Sequence, residues 1–207
     1  MKKPTVFFVL TFLLMACATY PPPKIEGNRY QNYRYGFTLE LPGEPWKQTE
    51  KLPAWFESWM HAADLSTSTI KLVLFNNQTN AFIVVNCMKD PQNIYRMSDS
   101  GAYRAFEYLL ELEKEESLKS DRITRFEYDV GPWTPRLHWT VRIDTETEVQ
   151  KTSVIRKGNN YPIHDDTHFI EIMICPNQLT FIENNRVFYN FYESFEWGEH
   201  LMKPTTE

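Results

Sequence analysis

The residues with the clearest capacity for chemistry lie in the second half of the chain. His164-Asp165-Asp166-Thr167-His168 places two imidazoles four residues apart with carboxylates between them. On a helix that spacing brings both histidines to one face, within reach of one divalent cation. Tyr161-Pro162 before the run and the apolar stretch after it predict a loop instead, where the spacing has no set geometry. His164 and His168 therefore stand as candidate metal ligands against a solvated turn. Arg136, His138 and Arg142 fall on the polar side of an alternating stretch and form a candidate anion-binding patch. Trp133, between Pro132 and Pro135, is a rigid loop aromatic that either anchors a partner or folds back over a sheet edge. Cys87 and Cys175 each end an apolar run; a disulfide and two buried thiols are both open for an exported chain. No GxSxG elbow, HExxH, phosphate loop or CxxC occurs. The expectation is a non-enzymatic protein without a cofactor.

Composition narrows the classes further. The 207 residues carry 24% charged and 42% hydrophobic side chains, a globular balance that excludes bulk disorder. An aromatic share of 15% points to a sheet-rich core. The formal charge of −5 becomes −7 when the leader, which contains Lys2 and Lys3 and no acid, is removed. Such a surface does not bind nucleic acid by bulk charge.

Met1-Lys2-Lys3 is followed by the apolar run from Val6 to Ala16, interrupted only by Thr11. A spanning helix needs about 20 apolar residues, so this run reads as a signal-peptide core over residues 1–16. Leu14-Met15-Ala16-Cys17 resembles the bacterial lipobox, with Met15 bulkier than the usual small residue. The resemblance implies a diacylglycerol thioether and an acylated, palmitate-type amine on Cys17, hence stable membrane anchoring by more than one chain. Ala18 in place of Asp implies the periplasmic face of the outer membrane if the host has two membranes. Residues 17–29, with Pro21-Pro22-Pro23, read as a semi-rigid tether.

Residues 30–207 read as one α+β domain with an antiparallel sheet between helices. Phe37, Leu39 and Leu41 alternate before the turn Pro42-Gly43-Glu44-Pro45. Ile70–Phe75 and Ala81–Val85 flank a five-residue loop, Asn76–Asn80. Phe126, Tyr128 and Val130 alternate, and Leu137–Asp144 has the cleanest period of two, pairing with Val149–Ile155. Phe169–Cys175 is apolar on both sides except at Glu171, which predicts a central strand. Helices are expected over Asp99–Lys119, with the acidic run Glu111–Glu116 outward, and after Pro176, where Thr180 and Glu183 suit a capping box. Trp55, Phe56 and Trp59 suit either a short helix or an irregular strand.

Tyr33-Arg34-Tyr35-Gly36-Phe37-Thr38-Leu39-Glu40-Leu41-Pro42 with Trp46 is similar to the opening of PsbP-like domains, and Ser194-Phe195-Glu196-Trp197 to their close. The resemblance implies an α/β/α sandwich and an accessory protein-binding role, and it supplies no catalytic residue. The expectation is an envelope lipoprotein, anchored through Cys17, whose domain is an interaction or scaffold module for an envelope protein. The alternative is a carrier of a small ligand or metal.

Overall fold

The computed structural model describes residues 20–50, 69–89, 100–131, 138–148, 151–159, 168–175 and 180–198. Eleven strands and two helices lie among them, joined in an α+β arrangement. The larger sheet has seven strands: β4 (Trp46–Gln48), β5 (Ile70–Asn76), β6 (Ala81–Lys89), β7 (Arg125–Val130), β8 (His138–Glu146), β9 (Lys151–Asn159) and β10 (His168–Cys175). Their spatial order is β4-β5-β6-β10-β9-β8-β7, and every neighbouring pair is antiparallel. β10 is central, as its apolar run requires. β9 continues past its predicted end to Asn159, with Glu146 paired to Lys151 and His138 to Asn159; Val149 and Gln150 lie outside the described residues.

Strand alternation gives this sheet two apolar faces. Leu72, Leu74, Ile83, Val85, Ile155, Ile170, Ile172 and Ile174 point to one side. Val73, Phe82, Val84 and Met173, with Phe126, Val141 and Ile143 further along, point to the other. Helix α1 (Ser100–Leu118) packs Leu110 with Phe126, Val141 and Ile143. Helix α2 (Phe181–Glu193) lays Phe188, Phe191 and Tyr192 on the opposite face. Helices thus cover the sheet from both sides, as the patterning anticipates.

One sheet is expected from the sequence, and two are present. β1 (Lys24–Glu26), β2 (Arg29–Asn32), β3 (Phe37–Glu40) and β11 (Glu196–Trp197) form a separate four-stranded sheet in that order. Tyr30, Phe37 and Leu39 join the core on the α2 side, so both sheets share one interior. The β1–β2 hairpin turns at Gly27, φ +61°, and occupies the second half of the stretch read as tether. Paired strand structure accordingly begins at Lys24, ahead of the boundary expected at Tyr30. The proline run shows where the chain is extended but not that Ile25 will pair with Tyr30.

The segments that resemble the opening and close of one domain family are joined in space. β11 pairs with β3, Trp197 opposite Phe37 and Glu196 opposite Thr38. Phe195 stacks on Phe37 at 5.3 Å and meets Trp197 edge-on at 4.9 Å. The Glu40 N–H donates to Ser194 Oγ (2.9 Å), and Ser194 Oγ–H donates to the Phe191 carbonyl (2.6 Å). The Gly198 N–H donates to the carbonyl of Gly36, whose φ of +62° explains a glycine at that turn. Arg29 adds hydrogen bonds to Thr38 and Glu196.

Two local expectations change. Asn76 pairs with Ala81, so the β5–β6 loop has four residues, with Asn80 in the left-handed region at φ 55°. Thr180 precedes α2 but makes no side-chain capping bond. The buried Asn184 fills that end instead: its Nδ2 donates to the Thr180 carbonyl (2.8 Å), and its Oδ1 accepts from Thr79 Oγ1 (3.0 Å) and Asn76 Nδ2 (3.3 Å). A side chain that reaches the β5–β6 loop ties two elements, which a local capping box cannot do.

Phe195→Ala should destabilise the domain by about 3–5 kcal/mol, because a stacked core aromatic is lost. Ser194→Ala should cost about 1–2 kcal/mol, the net worth of the two neutral hydrogen bonds its hydroxyl makes. Urea unfolding of both variants beside the parent checks the ranking; equal, negligible losses would show that the β3–β11 junction does not hold the fold.

Candidate functional site

The polar residues of β7, β8 and β9 gather on the α2 side of the sheet. Register places Glu127 opposite Asp144 and Asp144 opposite Ser153. Arg142 Nε donates to Asp144 Oδ2 at 2.8 Å, and Ser153 Oγ donates to Asp144 Oδ1. Burial lowers the Arg142 pKa, but the Asp144 carboxylate outweighs it and the net shift is upward. Arg125 pairs with Glu127, and Lys151 with Glu146 at 3.3 Å. Phe181, at the start of α2, covers this end, with the Lys151 ammonium 5.8 Å from its ring. The result is a cleft of about 140 Å³ walled by neutralised ion pairs. A second hollow, about 320 Å³, lies along Gln48–Glu50 and Ile70–Val73, where the chain leaves the described residues.

Further along the same face, Lys157 of β9 lies opposite Thr140 and Ile170. Its ammonium sits 5.9 Å from the Tyr192 ring centroid and 5.4 Å from that of Phe195. Burial lowers the Lys157 pKa, opposed by the charge of Glu193. Tyr192 is raised by burial, with the Arg142 charge working the other way.

The opposite face carries a second polar group, under α1. Arg156 grips Glu113 with two parallel bonds (2.8 and 2.9 Å) and donates from Nε to Glu171 Oε2 at 3.0 Å. Glu171 is 6% exposed. Bidentate geometry makes this the strongest type of charge pair, and it fastens α1 to the sheet's centre. Asn86 is fully buried opposite Glu171, and neither polar atom of its amide has a partner among the described residues. The Glu171 exception in β10 is visible in the sequence, whereas its link to Glu113 spans elements far apart in the chain. Lys157 carries no sequence signal beyond its place in an alternating strand.

The expected site residues fare differently. Arg142 lies in the polar face as anticipated, bound to Asp144. His138 opens β8 opposite Asn159, and its side chain lies outside the described set. Cys17, Trp133, Arg136 and His164 also lie outside the described residues, as do Trp55, Phe56 and Trp59. His168 is the first residue of β10, paired with Lys89, so the helical spacing that would bring His164 and His168 to one face is not continued at His168. Among the described residues no group of three or more His, Cys, Asp or Glu side chains can hold a metal ion. Cys87 is a free, buried thiol. It faces Ile170 across the β6–β10 pair, whereas Cys175 faces Phe82. Five strand positions separate the two, about 16 Å, against the ~7 Å limit for bridging Cα atoms. Burial raises the Cys87 pKa, with Lys71 and Arg34 opposing weakly.

No family model matches the chain, and no curated protein matches it. Among solved structures it is similar to the cyanobacterial PsbP (CyanoP) of Synechocystis sp. PCC 6803. Identity is 11% and the TM-score 0.47, over 82% of this chain and 91% of that one. It is also similar to the Ran-binding protein Mog1p of Saccharomyces cerevisiae, at 12% identity and a TM-score of 0.44, over 87% of this chain and all of that one.

Removing Arg156 alone leaves Glu171 charged and unpaired in the interior, so Arg156→Gln should destabilise by about 3–5 kcal/mol. Arg156→Met with Glu171→Leu should recover most of that loss in urea unfolding, since an apolar pair replaces a buried ion pair at little net cost. A double variant as unstable as Arg156→Gln would refute this account. For Cys87, a raised pKa and burial predict slow alkylation by iodoacetamide at pH 8 in the folded protein and rapid alkylation in urea. Equal rates would contradict the buried-thiol assignment.

Proposed function

We propose that the protein is an envelope lipoprotein, anchored through lipid on Cys17, whose PsbP-like α+β domain is a non-enzymatic protein-interaction module. Two features support the anchoring half of this reading. The leader resembles a lipobox ending at Cys17, and folded chain starts at Lys24. Seven residues at most span about 22 Å in polyproline II, which would keep the domain close to the bilayer. Among the described residues no helix is long and apolar enough to cross a membrane.

The observation that carries the interaction half is the outer face of α2. Ile182 is 86% exposed and Tyr189, two turns on, is 51% exposed. Residues seven apart lie on one helical face, and large apolar side chains held out on rigid structure are the usual anchors of partner binding. The carrier alternative finds less support: the 140 Å³ cleft is smaller than the ~300–1,000 Å³ of small-molecule sites and has its charges already paired, and the 320 Å³ hollow, though within that range, carries only Lys71 and Glu50 as charged lining.

Mass spectrometry of the mature N-terminus is expected to find Cys17 bearing diacylglycerol, and Cys17→Ser to leave the leader attached. An unmodified N-terminal cysteine would overturn the anchoring. Crosslinking in the native envelope should capture a discrete protein partner whose yield falls at least several-fold with Ile182→Asp and Tyr189→Asp; capture unchanged by both would remove the α2 face from the interaction.

A further inference from the structure

Strands β7 to β9 hold five cationic side chains, and four of them are matched by acids. Arg125 pairs with Glu127, Arg142 with Asp144, Lys151 with Glu146, and Arg156 with Glu113 and Glu171. Lys157 is the fifth. Among the described residues no carboxylate lies within ion-pair distance of it, and Glu193 acts on it only through space. It is also half-buried, held between Tyr192 and Phe195. Ring faces stabilise an ammonium partly, but they supply no hydrogen-bond acceptor for its three N–H groups.

A second cation stands beside it. Arg142 lies opposite Ile155 and Lys157 opposite Thr140, which makes Arg142 and Lys157 diagonal neighbours on one face, about 7 Å apart by backbone. Both border Tyr192: Lys157 lies over its ring and Arg142 acts on its phenol. Arg142 commits Nε to Asp144 and also hydrogen-bonds Tyr192, and of the five N–H groups of its guanidinium the others can still donate.

We propose that Lys157, with Arg142 and the Tyr192 hydroxyl, receives an oxyanion, and that its source is a carboxylate side chain of the protein partner. This deepens the interaction-module reading and rests on it. An arriving carboxylate supplies the acceptor that Lys157 does not find among the described residues, and the half-buried setting makes such a charge-assisted bond stronger than an exposed pair. The site lies on the sheet face that α2 covers, with the exposed Ile182 and Tyr189 on the outer side of that helix. A partner reaching around α2 could place an apolar group on the helix and an acid at its edge.

The test is acylation of the full-length protein by an N-hydroxysuccinimide acetate ester at fixed pH and ionic strength, with each lysine read by peptide mass mapping. Hexaglutamate, acetate and inorganic phosphate serve as probes, and exposed Lys119 as the internal reference. Hexaglutamate at about twice its Kd should slow Lys157 labelling about threefold while leaving Lys119 unchanged, and Arg142→Gln should weaken that protection. Protection by phosphate or acetate as strong as by hexaglutamate would overturn the partner source in favour of a free oxyanion. Protection by none of the three would overturn the site. A partner crosslinked equally well to Lys157→Gln, confirmed folded by circular dichroism, would also remove Lys157 from the interface while leaving the interaction module itself standing.

Discussion

The junction of β3 with β11 is the constraint on which the rest of this structure depends. It joins a core strand near the start of the described chain to residues near its end, more than 150 positions apart. Phe37 and Phe195 are both buried and stacked there, so the contact links the small sheet to the interior shared with the large one. Closing so long a loop is entropically costly, and each further doubling of length adds only about 0.6 kcal/mol. A few well-packed aromatics and hydrogen bonds therefore suffice to hold the ends together. Placing α2 follows from the same junction, because the helix leads directly into Phe195.

Polar groups inside the sheet do a different task on each side. Under α1, Arg156 between Glu113 and Glu171 fixes where the helix lies. Buried ion pairs of this kind contribute little net stability, yet breaking one is expensive. Their effect is to select one placement of α1 on an apolar sheet that would otherwise accept several. Next to them the unpaired amide of Asn86 is a cost with no visible return among the described residues. On the α2 side the charges lie at a rim and neutralise one another, leaving Lys157 as the exception.

A domain whose folded chain begins within a few residues of a lipidated cysteine would be confined near a surface, and confinement raises the local concentration of any envelope partner. What remains to be recognised is then shape and charge on the exposed side, which is where α2 carries its outward Ile182 and Tyr189. Under that reading, the apolar pair on α2 and a half-buried cation unmatched among the described residues would serve recognition without a deep pocket.

Much of the architecture was legible from periodicity alone. Alternation identified β5 through β10, and the continuous apolar run placed β10 at the centre, because a strand covered on both faces has no polar side to show. Helical spacing located α1 to within a residue at each end and the start of α2 at Phe181. The candidate site was less legible: the sequence singled out Arg142 for its strand face, but passed over Lys157, Tyr192 and the Arg156 clamp. Those depend on which strand lies beside which. The division of the strands into two sheets, the loss of the tether's second half to a hairpin, and the separation of Cys87 from Cys175 also emerged only in three dimensions. Local pattern records which face of a segment avoids water, since that is a property of neighbouring residues. Pairing between segments far apart in the chain is set by packing and hydrogen bonding in the assembled core, and no short stretch of sequence contains it.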